Sequence, residues 1–240
     1  MGPTRPLPPA AAHAFVDDLA EPALDAGDRH HFERVLRLRP GQAVTVADGA
    51  GRWRSCVWRA GGALEPTGPV ADEGPAGPAV TVAFALTKGE RPEWVVQKLT
   101  EVGVDRIVAF RAARSVVRWD GAKEAANLER WRRVARQAAM QCRRARLPEV
   151  SGVPPFAEEA AAAGGFGALA APGGPPPTVA LRMLLVGPEG GWADEELACG
   201  LPVCGLGPTV LRAETAALAA GVLLCGLRNG TIRPFADDPQ

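Results

Sequence analysis

The sequence predicts an α/β chain in two parts, a small β-barrel followed by a larger body built on a mostly parallel sheet. Three observations carry this reading. Short alternating runs and turn residues dominate up to about residue 70. From Ala79 onward, apolar runs of strand length alternate with stretches of helical spacing. Between them, residues 64–78 hold Pro66, Pro69, Pro75 and Pro78 among glycines and acids, the composition of a linker. The expected organisation is a barrel over residues 1–72, a connection over 73–78 and an α/β body over 79–240. At 240 residues, both parts have enough chain for a core.

In the first part, Ala43-Val44-Thr45-Val46-Ala47 reads as a strand, Asp48-Gly49-Ala50-Gly51 as a tight turn, and Arg52-Trp53-Arg54-Ser55-Cys56-Val57-Trp58 as the returning strand. In the second, residues 79–86 read as a strand. Residues 92–103, with Val95, Leu99 and Val102 in helical register, read as a helix, and residues 107–110 as the next strand. A long helix over residues 123–146 ends before Pro148. Residues 166–171, 183–186 and 203–206 are further strands, and residues 214–227 form a last apolar helix.

Composition narrows the class of protein. Net charge is zero, yet residues 1–146 hold 23 basic against 17 acidic side chains, a balance of +6, and residues 147–240 hold 4 against 10, a balance of −6. A polyanion such as nucleic acid therefore suits the first 146 residues better than the rest. The five cysteines, Cys56, Cys142, Cys199, Cys204 and Cys225, show no Cys-x-x-Cys spacing, which argues against a zinc site or a disulfide framework. Reduced thiols point to the cytoplasm. Prolines interrupt the N-terminus and the uncharged stretch 160–181, so neither a signal peptide nor a membrane span is expected.

Two glycine-punctuated segments stand out near the C-terminus. Gly187-Pro188-Glu189-Gly190-Gly191-Trp192 follows the strand that contains Leu185 and Val186. Leu206-Gly207-Pro208-Thr209-Val210-Leu211-Arg212-Ala213-Glu214-Thr215-Ala216 opens the last helix. Each alone would be read as a strand-to-helix turn, and as a phosphate loop the first is poor, because no Lys follows and Glu189 would repel an anion. A cationic ligand reverses that sign. Basic side chains cluster along residues 129–146, with Arg130, Arg132, Arg133, Arg136, Arg143, Arg144 and Arg146. A second cluster comprises Arg29, His30, His31, Arg34, Arg37 and Arg39. Both form the kind of stripe that tracks phosphates, although solvated helix faces would look the same.

Together the two glycine segments resemble the cofactor loops of the RsmE-type 16S ribosomal RNA uridine-N3 methyltransferases, members of the SPOUT class of enzymes that use S-adenosyl-L-methionine (AdoMet). The resemblance extends to Lys88-Gly89-Glu90-Arg91, to Gln97-Lys98-Leu99-Thr100-Glu101-Val102-Gly103-Val104 and to Gln137-Ala138-Ala139-Met140-Gln141-Cys142-Arg143-Arg144. It implies a C-terminal α/β domain with a deep trefoil knot, an N-terminal PUA-like barrel, a homodimer, and AdoMet as cofactor with S-adenosylhomocysteine as product and no metal. It implies 16S ribosomal RNA, within the 30S subunit, as partner.

By this resemblance Leu185, Val186, Gly187, Pro188, Glu189, Gly190, Gly191, Leu206, Gly207, Val210, Leu211, Thr215 and Ala216 would bind the cofactor. His30, His31, Arg34, Arg37, Arg39, Arg91, Lys98, Arg132, Arg136, Arg143 and Arg144 would face RNA. Uridine N3 carries an imide proton that must leave before its lone pair can attack a methyl group. Arg212 is therefore expected to stabilise charge developing on O2 and O4, and Glu214 to orient Arg212 or accept the proton. Relatives usually carry Thr where this chain has Ala213 and a larger polar residue near Thr209, so a hydroxyl contact is expected to be missing. Two other readings stay open, a noncatalytic assembly factor on ribosomal RNA and a methyltransferase acting on transfer RNA or a ribose hydroxyl.

Overall fold

Residues 7–117 and 119–233 are described by a computed structural model, so the first six and last seven residues of the expected domains lie outside it. The described residues gather into two units. One runs to Ala76 and includes Arg136–Leu147; the other comprises Gly77–Ala135 and the residues from Pro148 onward.

In the first unit, β1 (Ala12–Phe15) leads to helix α1 (Ala26–His30), which runs into one wider turn over His31–Val35. Strands β2 (Ala43–Ala47), β3 (Arg52–Trp58), β4 (Leu64–Pro66) and β5 (Ala71–Asp72) follow. The order is β1-β2-β3-β4 with β5 also on β3; β1 and β2 are parallel and the other pairs antiparallel. The expected hairpin forms because the Asp48 carboxylate accepts from the N–H groups of Ala50 and Arg52 at 2.8 and 3.1 Å, fixing the turn. Alternation buries Val44, Val46, Cys56 and Trp58 around Phe32, whose ring meets Trp58 edge-on at 5.7 Å.

The stretch 64–78 is not simply a linker, since β4 and β5 both pair with β3. Buried Leu64 supplies the apolar contact, while Pro66 closes β4 and Pro69 falls between the strands, where no ladder N–H is required.

In the second unit the rhythm is β6 (Thr81–Ala85), α2 (Arg91–Val102), β7 (Arg106–Phe110), α3 (Gly121–Cys142), β8 (Glu149–Ser151), α4 (Phe156–Ala163), β9 (Gly167–Ala170), β10 (Met183–Val186), α5 (Asp194–Leu197), β11 (Val203–Cys204) and α6 (Ala213–Asn229). All pairs are parallel, in the order β11-β9-β10-β6-β7-β8. The central strands β10 and β6 are apolar apart from Thr81 at the start of β6, because both faces are covered. Helix α2 ends at Gly103 in the left-handed region, φ 99°. It packs against α6 at Gly221, where a Cβ would stand 2.6 Å from Leu99 Cδ2.

The long helix is shorter than expected, ending at Cys142 rather than Arg146. Arg143 turns into the left-handed region at φ 58°, and the Arg144 N–H closes on the Ala139 carbonyl at 2.9 Å. That reversal buries Ala145 beside Ala139, Phe15 and Ala47. Residues 136–147, placed by sequence in the α/β body, thus cluster with the first unit.

The chain leaves β6 toward β7 and leaves β10 toward β11, on opposite sides. Such a reversal opens a crevice at the carboxyl ends of adjacent parallel strands.

Candidate active site

The two glycine segments meet at the carboxyl ends of β9, β10 and β11, beside that switch point. The first leaves β10 and turns tightly, with the Gly191 N–H on the Pro188 carbonyl at 2.9 Å. Trp192 then anchors the loop. Its ring stacks on Phe110 with centroids 6.1 Å apart and planes 2° apart, and its indole N–H donates to the Ala170 carbonyl at 2.9 Å. The same indole lies against Gly187, where a Cβ would meet it at 3.0 Å. A side chain there would press on the ring, so glycine eases the passage of the strand end. The second segment leaves β11 through Gly207, whose φ of 147° belongs to glycine although a Cβ there would meet nothing.

Between the segments lies a cavity of about 380 Å³, within the roughly 300–1,000 Å³ typical of small-molecule pockets. Val186, Gly187, Pro188, Glu189, Gly191, Leu206, Gly207, Val210, Leu211 and Ala216 line it as expected of cofactor residues, and Arg212 joins them. Leu185, Gly190 and Thr215 do not line it. Leu185 is wholly buried in the core of the sheet, which follows from its strand position, while Thr215 is exposed on α6. Ala170, Ala171, Pro172 and Trp192 complete the wall. Ala213 and Thr209, the two positions expected to depart from the family pattern, also line the cavity.

The charged groups at the mouth are arranged differently from expectation. Glu214 is not brought to Arg212. Arg91 instead bridges two carboxylates, with Nη1 donating to Glu189 at 2.6 Å and Nε lying 3.9 Å from Glu214. The other Glu214 oxygen, Oε2, is buried without a hydrogen-bond partner among the described residues. An unsatisfied buried carboxylate oxygen is costly. Arg212 caps α6 with extended backbone and no side-chain cap bond. Helix starts favour Ser, Thr, Asp or Asn there, and the dipole disfavours a cation. This local conflict is of the kind found at functional positions.

The pocket fits AdoMet. Apolar walls suit an adenine, glycine backbone permits close approach, and the carboxylate of Glu189 suits a cationic ligand. Among the described residues no group of three or more His, Cys, Asp or Glu is placed to hold a metal ion.

The expected RNA contacts divide in two. His30, His31, Arg34, Arg37 and Arg39 are exposed on the first unit, and Arg37 sits in the left-handed region at φ 53°. Others have internal partners. Arg136 pairs with Asp28 at 2.5 Å and donates to the Phe15 carbonyl at 3.2 Å, Arg143 donates to the Ala10 carbonyl, and Arg132 pairs with Glu129 at 2.7 Å. The Arg144 carbonyl accepts from His13 Nε2 at 3.1 Å, which fixes the tautomer so that Nδ1 accepts from the Thr45 hydroxyl at 2.9 Å. Lys98 pairs with Glu101 at 2.9 Å.

Sequence reading missed Arg114 and Glu196. The first has no local signal. The second does, since Glu196 stands three residues after Ala193, the spacing by which a carboxylate reaches back to the amide that opens a helix.

Fold and pocket define an α/β methyltransferase with a PUA-like companion domain. A family model described as an RNA methyltransferase domain matches residues 75–224, and one described as an RNA methyltransferase PUA domain matches residues 24–57. The ribosomal RNA small subunit methyltransferase E of Mycobacterium bovis is 39% identical over 230 residues, covering 86% of this chain and 88% of that protein. Its namesake from Synechocystis is 30% identical over 220 residues, covering 82% and 70%. A methyltransferase of Legionella pneumophila, solved in complex with the bound cofactor SAM, superposes with a TM-score of 0.74 at 26% identity, covering 88% of this chain and 96% of that one. The chain belongs to the ribosomal RNA small subunit methyltransferase E family.

Proposed function

We propose that this protein methylates N3 of a uridine in 16S ribosomal RNA, using AdoMet and giving 3-methyluridine and S-adenosylhomocysteine. The observation that carries the reading is the convergence of both glycine loops and Arg212 on one cavity at the carboxyl ends of β9, β10 and β11, with Glu214 two residues beyond Arg212 on α6.

The bound cofactor supplies a methyl group on a sulfonium. The walls formed by Val186, Leu206, Val210 and Leu211 and the backbone of both loops would hold it, with Glu189 facing its charge. Glu214 accepts the N3 proton, and Arg212 offsets the negative charge that develops on the uracil oxygens. Arg91 holds Glu214 and Glu189 in place.

The same reading brings further expectations. The α/β body over residues 79–240 is knotted. Support for this comes from the RNA methyltransferase family model that matches residues 75–224. The first unit closes as a PUA-like barrel. It binds RNA through His30, His31, Arg34, Arg37 and Arg39, all exposed. The enzyme works in the cytoplasm as a homodimer on the 30S subunit.

Transfer of label from AdoMet to purified small subunits lacking the modification, run beside transfer RNA, tests the substrate class. Labelled 16S ribosomal RNA is expected. Label on transfer RNA alone would overturn the reading, and absence of AdoMet binding by calorimetry would favour the noncatalytic assembly factor.

A further inference from the structure

The loop after β10, residues 187–193, is fastened to the loop after β7, residues 111–117, at two points that no role yet accounts for. Glu196 is 5% exposed and uses both carboxylate oxygens. Oε2 accepts from the Ala193 N–H at 2.9 Å, and Oε1 accepts from the Ala113 N–H at 2.8 Å. The first bond is the ordinary cap of α5. The second spans 83 residues of sequence and serves no helix.

Arg114 makes the other fastening. Its Nη1 donates to the Gly190 carbonyl at 3.0 Å, and its Cβ passes 3.5 Å from where a Cβ on Gly190 would stand. Beneath them, the stacked pair of Phe110 and Trp192 joins the roots of the same two loops. Burying a carboxylate is costly unless hydrogen bonds compensate, so a buried Glu196 divided between two loops resists their separation.

We infer that Glu196 and Arg114 are positioning residues for donor binding. They hold residues 187–193 in the conformation that walls the cavity, so that binding does not have to order a loose loop. The inference rests on the reading that this loop binds AdoMet.

Calorimetry with AdoMet on the full chain, joined to steady-state kinetics, tests it. Glu196→Gln keeps the size of the side chain but replaces one acceptor by a donor facing an N–H group. Its dissociation constant for AdoMet is expected to rise about tenfold, as for loss of a charged hydrogen bond. Arg114→Ala is expected to raise it about threefold to tenfold. For both, KM for AdoMet rises in step while kcat at saturating donor and RNA stays within about twofold, since neither residue reaches the reacting atoms.

A Glu196→Gln protein that melts lower yet binds AdoMet like wild type would show a merely structural role and overturn the inference. So would a fall in kcat with unchanged KM. If Glu196→Gln does not fold, Arg114→Ala decides alone, because Arg114 is exposed and its removal leaves the core intact. Failure of the wild-type chain to bind AdoMet would instead overturn the reading of the loop itself, and the inference with it.

Discussion

Arg212 and Glu214 sit two residues apart at the start of α6, yet the fold gives them different surroundings. Arg212 faces the cavity; Glu214 turns toward Arg91 and keeps one oxygen buried and unpaired. Arg212→Ala should therefore slow single-turnover methylation about 100-fold or more while AdoMet affinity stays within about threefold, the signature of a group that acts on developing charge. Full activity in that variant would remove Arg212 from the mechanism. Glu214→Gln should slow the same step by about 100-fold. At this scale the sequence was legible where motifs are local, because a glycine beside a tryptophan ring or a residue opening a helix is fixed by its neighbours in the chain. It was illegible where the contact is long-range. Nothing near Arg91 or Glu196 announces Glu214 or Ala113 as partners, because the sheet brings them together across many residues.

At the scale of elements, the arginine-rich helix is where sequence and structure differ most. Its stripe of charge suggested a phosphate track, but part of it is structural. Arg136 is hydrogen-bonded to Asp28, and its guanidinium lies 5.8 Å from the Phe15 ring centroid. Arg136→Ala should destabilise the first unit by about 2 kcal/mol, as for a partly buried pair left with one partner unpaired. Unchanged thermal stability of that variant would contradict this. Periodicity reports which face of a helix is polar but not whether the polar groups meet solvent or an acid from a distant helix. The strands were read more surely, since a parallel sheet covered on both faces must draw on unbroken apolar runs such as Met183–Val186. Close crossings of elements supply a further test. Gly221→Ala forces a Cβ to within 2.6 Å of Leu99 Cδ2 and 3.2 Å of Val104 Cγ2. Denaturant unfolding should show a loss of about 1–3 kcal/mol, the usual cost of overpacking.

For the whole molecule, the imbalance of charge seen in the sequence is retained on the first unit in the exposed Arg34, Arg37 and Arg39. Replacing one of them by Ala should lower the slope of log affinity for RNA against log salt by about 0.7–0.9, whatever the RNA sequence. Stability should also depend on pH through His13. Burial holds its pKa down to about 4, from an ordinary value of 6.5. Between those values the unfolded chain binds the proton and the folded chain does not, so stability rises with pH across this window. The full gain, about 3 kcal/mol, is present above pH 6.5 and is lost as pH falls toward 4. Denaturation followed from pH 4 to 7 should show that slope, and His13→Gln should flatten it.

The central claim is the chemistry at N3 of uridine. The most direct measurement is mass spectrometry of nucleosides from 16S ribosomal RNA after incubation of unmodified small subunits with the purified protein and labelled AdoMet. The account predicts 3-methyluridine carrying the label. Label in a ribose-methylated or carbon-methylated nucleoside, with no 3-methyluridine, would contradict it.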